Sequence, residues 1–346
     1  MSAGSQAAPP TSILLLRTSA LGDVVHCLPV AAALRRALPA VRLGWVVEEP
    51  FLPLVASHPA VDEAIPVALR RWRRSPLAAD TRREVAAFLR RLRGFRAELA
   101  LDLMGNHKGG ILALVSGAPR RLGAVRASRR EPSSAWWLNA TVRPSGVHAV
   151  DRALSLLAAL DVPAAAAELA PPQLLAGGAA DEPDEPAGYV LLQPGAGWGN
   201  KRYPVAWWGE VARALALTGA RVRVLAGPAE EELAGEVAAA AGEGTARAVA
   251  PLGLPALAAW MRGCCLLVGG DTGPLHLAHA LGVPVLALHG PTDPARHGPY
   301  GAPERALFKL LPCSFCYRRF DETKACLLEL APQQVVSRAL SLLAAN

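Results

Sequence analysis

The feature that most constrains the fold is an alternation of short apolar runs with segments of helical spacing. Ile13 to Leu16 is an apolar run that ends at a loop of small residues, and Val24 to Leu38 then carries apolar residues at helical spacing. Strands that alternate with helices are typical of parallel sheets. The chain is therefore predicted to be an α/β protein built on doubly wound parallel sheets.

The same strand and helix pattern recurs along the chain. Further strands are predicted at Val41 to Val47, Ala100 to Leu103, Tyr189 to Gln193, Arg221 to Leu225, Cys265 to Val268 and Pro284 to Leu288. After Ala331 and Pro332, the apolar spacing of Gln333 to Ala345 predicts a terminal amphipathic helix.

The length of 346 residues and the hydrophobic content of 52% allow two domains, each with its own core. The passage around 163–186 has two proline-rich patches and an acidic cluster, which is the composition of a linker. We therefore predict an N-terminal domain over 1–175, a C-terminal domain over 186–330 and a terminal helix over 331–346.

Both halves open alike, because an apolar strand runs into a loop of small residues. The first loop is Arg17 to Asp23, and the second is Pro194 to Lys201. Ligands of doubly wound sheets bind beyond the carboxyl ends of the strands. Two such domains facing across a cleft would present both loops to one ligand.

The first 150 residues carry a net positive charge, and the remaining residues carry a net negative charge. Residues 1–150 hold 21 Lys and Arg against 10 Asp and Glu, whereas the remainder holds 15 against 19. The first half is therefore predicted to face an anionic ligand. Nucleic acid is not expected, because no helix-turn-helix, zinc-finger or RNA-recognition signature is apparent.

The sequence predicts a cytoplasmic protein. Met1 to Pro10 carries no positive residue, and the first apolar run is too short for a signal peptide. The charge-free stretch Thr272 to Thr292 holds three histidines and three prolines, so it is interpreted as buried strands and turns. The six cysteines do not suggest a disulfide scaffold.

A turn between a strand and a helix is a candidate phosphate site. Gly269 to His276 precedes the helical run Leu277 to Leu281. Free backbone N–H groups at such a helix start, with the Thr272 hydroxyl, suit a phosphate group. The alternative is an ordinary turn in which Thr272 caps the helix.

The loop Pro194 to Lys201 matches neither common nucleotide motif. Asn200 stands where the dinucleotide fingerprint has Gly or Ala, and Lys201 is not flanked by Gly and by Ser or Thr. The loop nevertheless presents a cation, Lys201, that can neutralise the charge on a departing diphosphate. A surface lysine after a turn is the alternative.

Asp23 lies at the end of the first loop, where a carboxylate could accept the proton of an attacking hydroxyl. The alternative is that Asp23 caps the helix that follows.

A dense group of arginines is the candidate anion-binding surface. Arg70 to Arg74 carries four guanidinium groups around Trp72, an array suited to phosphates or carboxylates. Lys108 and Arg129 to Pro132 add to the same basic half. The alternative is a solvated charged face.

Several separated motifs resemble the ADP-heptose:lipopolysaccharide heptosyltransferases, family nine of the glycosyltransferases, over nearly the full chain. They are Leu16 to His26, Trp45 to Glu49, Lys201 after its glycine loop, Gly227 to Glu231, Asp271 to His276 and Gly290 to Asp293. Within the family, Trp45 to Glu49, Arg70 to Arg74 and Arg130 to Pro132 are most similar to the type I enzymes. The resemblance implies the GT-B fold of two Rossmann-like domains.

The resemblance also implies an inverting transfer of heptose from ADP-heptose to Kdo of Kdo2-lipid A or a related core acceptor. Asp23 would be the general base, and Lys201 would stabilise the leaving group. The implied donor-binding residues are Thr18, Gly22, Lys201, Glu230, Asp271, Thr272, Gly273 and His276. The implied acceptor-binding residues are Arg70, Arg71, Arg73, Arg74, Lys108 and Arg130.

The implied enzyme is a monomer that requires no metal and contacts the cytoplasmic face of the inner membrane peripherally. Cys313, Cys316 and Cys326 are more similar to the type II enzymes. Cys313 and Cys316 have a metal-like spacing, but a fourth ligand is not evident. Open alternatives are a later heptose, another nucleotide sugar, or a non-enzymatic protein that binds anionic surfaces or nucleic acid.

Overall fold

The computed structural model describes residues 9–163 and 183–345, and the chain forms two compact units that divide between residues 173 and 174. The predicted linker lies largely outside the described residues, and the predicted domain bounds stay a prediction.

The first unit is built on six strands. They are β1 (Ser12–Leu16), β2 (Arg42–Glu48), β3 (Glu63–Val67), β4 (Leu99–Asp102), β5 (Arg120–Ala124) and β6 (Ala140–Val142). The helices are α1 (Leu21–Val25), α2 (Leu28–Ala37), α3 (Leu52–Ala56), α4 (Leu69–Arg74), α5 (Ala79–Gly94), α6 (His107–Val115) and α7 (Ala149–Leu154). Short 3-10 helices are Glu49–Phe51, Arg126–Ser128, Pro132–Trp137 and Ser155–Leu160.

The second unit repeats this plan. Its strands are β7 (Tyr189–Gln193), β8 (Val222–Leu225), β9 (Ala246–Val249), β10 (Cys264–Gly270), β11 (Val285–His289) and β12 (Ala306–Phe308). Its helices are α8 (Val205–Ala216), α9 (Glu231–Ala241), α10 (Leu254–Gly263), α11 (Gly273–Ala280), α12 (Pro294–His297), α13 (Ala325–Leu328) and α14 (Pro332–Ala344). Gly199–Lys201 and Pro303–Arg305 are 3-10 helices.

Both sheets are parallel throughout and have the same strand order. The first sheet runs β3-β2-β1-β4-β5-β6, and the second runs β12-β11-β10-β7-β8-β9. In each sheet the order reverses beside the first strand, between β1 and β4 or between β7 and β10. Doubly wound sheets bind ligands at this reversal, beyond the carboxyl ends of the strands.

The central strands are apolar because both faces of a parallel sheet are covered. Every residue of β1 and of β7 is buried. At Gly44 in β2 an added Cβ would approach the Phe95 ring to 2.7 Å, so glycine lets the aromatic ring pack directly on the strand. Each fully buried Leu or Phe side chain contributes about 1.5–3 kcal/mol through removal from water.

The predicted strands are all present, but short strands were missed. β3, β5, β6, β9 and β12 have three to five residues and lie away from the sheet centre, where partly exposed side chains weaken the apolar signal. The helix predicted over Val24 to Leu38 is divided into α1 and α2 by a turn at His26 and Cys27. Pro29, at the start of α2, lacks an N–H group for a continuous helix.

The predicted terminal helix is α14, and it packs on α8 and β10 of its own unit. Val335 and Ala339 are fully buried on its inner face, and the Tyr203 hydroxyl donates to the carbonyl of Leu330 just before it. In the described part of the chain, no helix is long and apolar enough to cross a bilayer.

A fully buried ion pair joins two loops of the first unit. Arg129 Nη2 lies 2.5 Å from Asp102 Oδ2, and both side chains have 0% exposure. Asp102 Oδ1 accepts from the Met104 N–H at 2.8 Å, and Arg129 Nε donates to Ser134 Oγ at 2.7 Å. The pair therefore fastens the loop after β4 to the loop that precedes Pro132.

We expect Arg129→Met to lower the free energy of unfolding by about 3–5 kcal/mol, because it leaves the Asp102 carboxylate buried without its cation. The double variant Asp102→Leu with Arg129→Met should be more stable than Arg129→Met alone. Urea denaturation of both variants and the wild type measures this. Equal stability of Arg129→Met and wild type would contradict a structural role for the pair.

Buried His58 should make stability depend on pH. Burial lowers its pKa to about 4, and its Nδ1 accepts from the Ala60 N–H. Between the ordinary pKa of about 6.5 and pH 4, the unfolded chain binds a proton that the folded chain does not. Above pH 6.5, His58 is neutral in both states and does not lower the free energy of unfolding. As the pH falls below 6.5, protonation of His58 in the unfolded chain lowers the free energy of unfolding.

We expect the His58 contribution to fall by about 2 kcal/mol between pH 6.5 and pH 5. His58→Asn keeps an acceptor for Ala60 but cannot be protonated, so its free energy of unfolding should fall less steeply with acid. Urea denaturation at both pH values tests this. An unchanged slope in the variant would show that His58 is not the titrating group.

Candidate active site

A buried carboxylate lies at the strand-order reversal of the second unit. Asp271 directly follows β10, and its side chain is 6% exposed. Lys201 Nζ lies 2.6 Å from Asp271 Oδ2 and also donates to the Asp271 carbonyl at 3.1 Å. His276 Nε2 is 2.9 Å from Asp271 Oδ1. Three of the predicted donor-binding residues are thus in direct contact.

The surroundings of Asp271 keep it ionised. Burial opposes its charge, but the hydrogen bond with His276 and the positive charge of Lys201 hold the pKa well below the ordinary value. Nearby His289 is fully buried, and burial lowers its pKa to about 4, so it is neutral at physiological pH. The cluster therefore holds one fixed anion beside one lysine.

The Lys201 side chain is 15% exposed, so it is not completely covered while Asp271 holds its ammonium group. Its Nζ also lies 4.9 Å from the centre of the Trp198 ring, a cation–π distance. Such a lysine can offset negative charge that develops on a phosphate oxygen.

α11 begins at Gly273, four residues before the helical run that the sequence predicts from Leu277. Thr272 precedes the helix, but its side chain does not cap it. Its hydroxyl donates to Gln193 Oε1 at 2.7 Å, and Gln193 Nε2 donates to the Gly195 carbonyl. Gln193 thereby ties the loop after β7 to the loop after β10. In the first turn of α11, Pro274 has no N–H group, so Gly273 and Leu275 carry its backbone donors.

Glu230 lies where two glycine-containing loops approach each other. An added Cβ at Gly195 would come within 1.8 Å of Glu230 Oε2, and one at Gly227 within 2.3 Å. Arg202 Nη2 lies 3.6 Å from Glu230 Oε1. The glycines after β7 and β8 therefore leave room for this partly buried carboxylate.

The segment 309–324, called the strap here, holds the loop that carries Lys201. Asn200 Nδ2 donates to the Arg318 carbonyl at 2.9 Å, and the Asn200 N–H donates to the Phe320 carbonyl at 3.0 Å. An added Cβ at Gly199 would lie 1.9 Å from the Asp321 carbonyl oxygen. Asn200, which does not fit the dinucleotide fingerprint, thus attaches the Lys201 loop to the strap.

The cysteines of this region are free thiols. Cys313 and Cys316 are exposed on the strap, whereas Cys326 is buried in α13. Among the described residues, no group of three or more His, Cys, Asp or Glu side chains is arranged to hold a metal ion. The absence of a metal requirement stays a prediction.

In the first unit, Asp23 lies in α1 beyond the end of β1 and is 43% exposed. Its Oδ1 lies 2.5 Å from Arg17 Nη2, and its Oδ2 accepts from the Ala20 N–H at 3.2 Å. Arg17 also donates to the Leu103 carbonyl, and the Trp45 indole N–H donates to the Arg17 carbonyl. Asp23 therefore both supports the start of α1 and presents a fixed carboxylate.

Thr18 and Gly22 are buried beside Asp23. The Thr18 hydroxyl lies 3.7 Å from Met104 Sδ, and the Thr18 carbonyl accepts from the Glu48 N–H. Thr18 thus connects the loop after β1 to the last residue of β2 and to the loop after β4. Its predicted contact with a donor stays a prediction.

Predicted acceptor-binding cations surround a buried carboxylate at the end of β2. Glu48 is 5% exposed, and burial raises its pKa, while the charges of Arg70 and Lys108 act in the opposite sense. Lys108 is exposed in the first turn of α6, and Arg70 is exposed on α4. The Glu48 carboxylate therefore interacts electrostatically with cations of both α4 and α6.

The four arginines of α4 are not equivalent. Arg71 contacts Glu84 at 2.5 Å and Glu49 at 2.9 Å, and the neighbouring Trp72 indole donates to Glu84. These contacts attach α4 to α5 and to the end of β2. The other predicted cations are also exposed, and they are Arg70, Arg73 and Arg74 of α4, Lys108 in the first turn of α6 and Arg130 in the loop after β5.

Sequence reasoning missed residues that hold these groups. They are Arg17, Glu48, Asp102, Gln193 and Thr292. Arg129, which the sequence analysis placed in the basic half, is instead buried against Asp102. Several lie inside or beside the quoted motifs, but their spacing along the chain does not reveal their partners. Asp102 and Arg129, for example, are 27 positions apart.

Comparison with known proteins agrees with the two-unit architecture. The profile of Glycosyltransferase family 9 (heptosyltransferase) matches residues 85–326. Lipopolysaccharide heptosyltransferase 1 of Pseudomonas aeruginosa is 35% identical, over 96% of this chain and 98% of that protein. Lipopolysaccharide heptosyltransferase 1 of Escherichia coli K12 is 31% identical, over 84% of this chain and 91% of that protein.

The structure is similar to that of E. coli heptosyltransferase WaaC with ADP, with a TM-score of 0.78 and 27% identity. The match covers 96% of this chain and 99% of the WaaC chain. The predicted GT-B fold is confirmed. This chain belongs to glycosyltransferase family 9 and is a heptosyltransferase similar to heptosyltransferase I.

Proposed function

We propose that this enzyme transfers L-glycero-D-manno-heptose from ADP-heptose to a Kdo residue of Kdo2-lipid A. The observation that carries the donor assignment is the buried Lys201 and Asp271 pair at the strand-order reversal of the second unit. One WaaC structure contains ADP, and another contains ADP-2-deoxy-2-fluoro heptose. The relatives from P. aeruginosa and E. coli K12 described above are named heptosyltransferase 1, which supports the first heptose over a later one.

In the proposed reaction, a Kdo hydroxyl oxygen attacks the anomeric carbon of the heptose and inverts its configuration. The bond between that carbon and the β-phosphate oxygen breaks, and ADP leaves. The hydroxyl proton passes to the Asp23 carboxylate, which Arg17 and the Ala20 N–H hold in a fixed direction. This chemistry transfers no electrons and needs no further reactant.

Charge on the departing diphosphate is offset by Lys201 and by the N–H groups at the start of α11. Lys201 and α11 supply the positive potential that a metal ion supplies in other sites, so the proposed mechanism uses no cofactor. Glu230, in its space between Gly195 and Gly227, is the proposed contact for the adenosine part.

The acceptor is proposed to bind the exposed cations Arg70, Arg73, Arg74, Lys108 and Arg130. Kdo carries a carboxylate and lipid A carries phosphates, which are the groups that guanidinium forks recognise. Arg71 is assigned a different part, because Glu49 and Glu84 already occupy its guanidinium group. It orients α4 and so the neighbouring arginines.

We also propose peripheral contact with the cytoplasmic face of the inner membrane, by a monomer that does not bind nucleic acid. Trp136 is 76% exposed on the 3-10 helix that packs on α6, and α6 itself exposes Ile111 and Leu114. Lys108 and Arg130 lie on or beside the same elements. Exposed Trp and aliphatic side chains near cations are typical of surfaces that meet anionic lipid.

The test of the proposed function is heptose transfer by the purified protein from ADP-heptose to Kdo2-lipid A, followed by product mass. Asp23→Asn keeps the size of the side chain but removes the base. We expect it to lower kcat by about 10²- to 10⁴-fold while ADP binding stays unchanged. Undiminished kcat would exclude Asp23 as the base. Transfer only to an already heptosylated acceptor would identify a later heptose as the product.

Substitution of an exposed arginine of α4 should change the KM for the acceptor and leave the KM for the donor unchanged. We expect Arg73→Gln to raise the KM for Kdo2-lipid A about 3- to 10-fold, with the KM for ADP-heptose unchanged, because it removes one charge-assisted contact. Arg36→Gln, which removes an exposed arginine from α2, is the matched control. Equal effects of the two variants would indicate general electrostatic attraction instead of a specific contact.

A further inference from the structure

The loop that follows β11 contributes a side chain to the Asp271 cluster. Thr292 is 3% exposed, and its hydroxyl donates to Asp271 Oδ2 at 2.6 Å. This is the same carboxylate oxygen that contacts Lys201 Nζ, also at 2.6 Å. Thr292 belongs to the Gly290 to Asp293 motif, for which the proposed mechanism has no other use.

The loop holds Thr292 rigidly in this position. An added Cβ at Gly290 would meet the Asn200 carbonyl at 3.1 Å, so the loop packs closely on the segment that carries Lys201. The Tyr317 N–H donates to the Pro291 carbonyl, and Asp293 Oδ1 accepts from the Ala295 N–H. The hydroxyl is therefore fixed from both sides of the loop.

The Thr292 bond affects how strongly Asp271 holds the lysine. An oxygen that accepts a hydrogen bond from a hydroxyl carries less negative potential towards its second partner. Without that bond, the Thr292 hydroxyl would no longer compete with Lys201 for Oδ2, and the ion pair would tighten in this largely dry location. A tighter pair would leave the ammonium group less available to a ligand phosphate.

We propose that Thr292 is a positioning residue for diphosphate binding. Its hydroxyl shares Asp271 Oδ2 with Lys201 and so sets both the direction of the carboxylate and the availability of the ammonium group. The inference rests on the proposed function, because it takes the ligand to be the diphosphate of a nucleotide sugar.

The test compares ADP with AMP by isothermal titration calorimetry. Thr292→Val keeps the shape of the side chain and removes the hydroxyl, whereas Thr292→Ser keeps the hydroxyl. We expect Thr292→Val to weaken ADP binding about tenfold and to leave AMP binding within about twofold, because the proposal places the β-phosphate, which AMP lacks, at Lys201. Thr292→Ser should restore ADP binding to within about threefold of the wild type.

A merely structural role would weaken ADP and AMP binding equally, and that result would overturn the proposal, as would unchanged ADP binding in Thr292→Val. If Thr292→Val does not fold, as judged by circular dichroism, Thr292→Ala serves in the same comparison. If the wild type binds no ADP but binds another nucleoside diphosphate, the donor assignment is wrong, and that diphosphate and its monophosphate replace ADP and AMP.

Discussion

The chemistry of the second unit depends on keeping one carboxylate ionised where little water reaches it. Asp271 loses hydration through burial, and Lys201, His276 and Thr292 replace that hydration with fixed donors. The loops after β7, β10 and β11 must therefore meet at one point. The packing of the strap against Asn200 and the close approach at Gly290 are the means by which they do so.

Each of the two units has an ion pair between a buried aspartate and a cation, but the two pairs differ in their exposure. In each, a buried aspartate at the end of the strand next to the strand-order reversal pairs with a cation, Asp102 with Arg129 and Asp271 with Lys201. The first pair is completely covered and joins two loops. The second leaves its lysine 15% exposed, and this difference in access separates a structural pair from one that can meet a ligand.

Much of the fold was predictable because parallel strands and their following loops leave a strong apolar pattern. β1 and β7 were identified from continuous apolar runs, and a helix was expected after β10, although α11 begins at Gly273 and not at the predicted Leu277. The family and the enzyme class are confirmed. The roles of Asp23 and Glu230, the acceptor cations and the cleft stay predictions.

The remainder depends on contacts between residues distant in sequence. Nothing in the order of the residues shows that Thr272 donates to Gln193 instead of capping α11, or that Arg71 is occupied by Glu49 and Glu84. Pairing of this kind is decided by the approach of loops in three dimensions. The local sequence pattern predicts the helices and strands, but it does not predict which side chains form hydrogen bonds or ion pairs with each other.

The position of Glu230 makes two loops interdependent. Gly195 and Gly227 each leave the volume that its carboxylate fills, although they belong to loops after different strands. A side chain added at either glycine would displace the Glu230 carboxylate. A substitution in one loop would therefore also change the surface of the other loop. Any redesign of these two loops would have to treat the three positions as a single unit, so that a larger side chain at one position is matched by a smaller one at another.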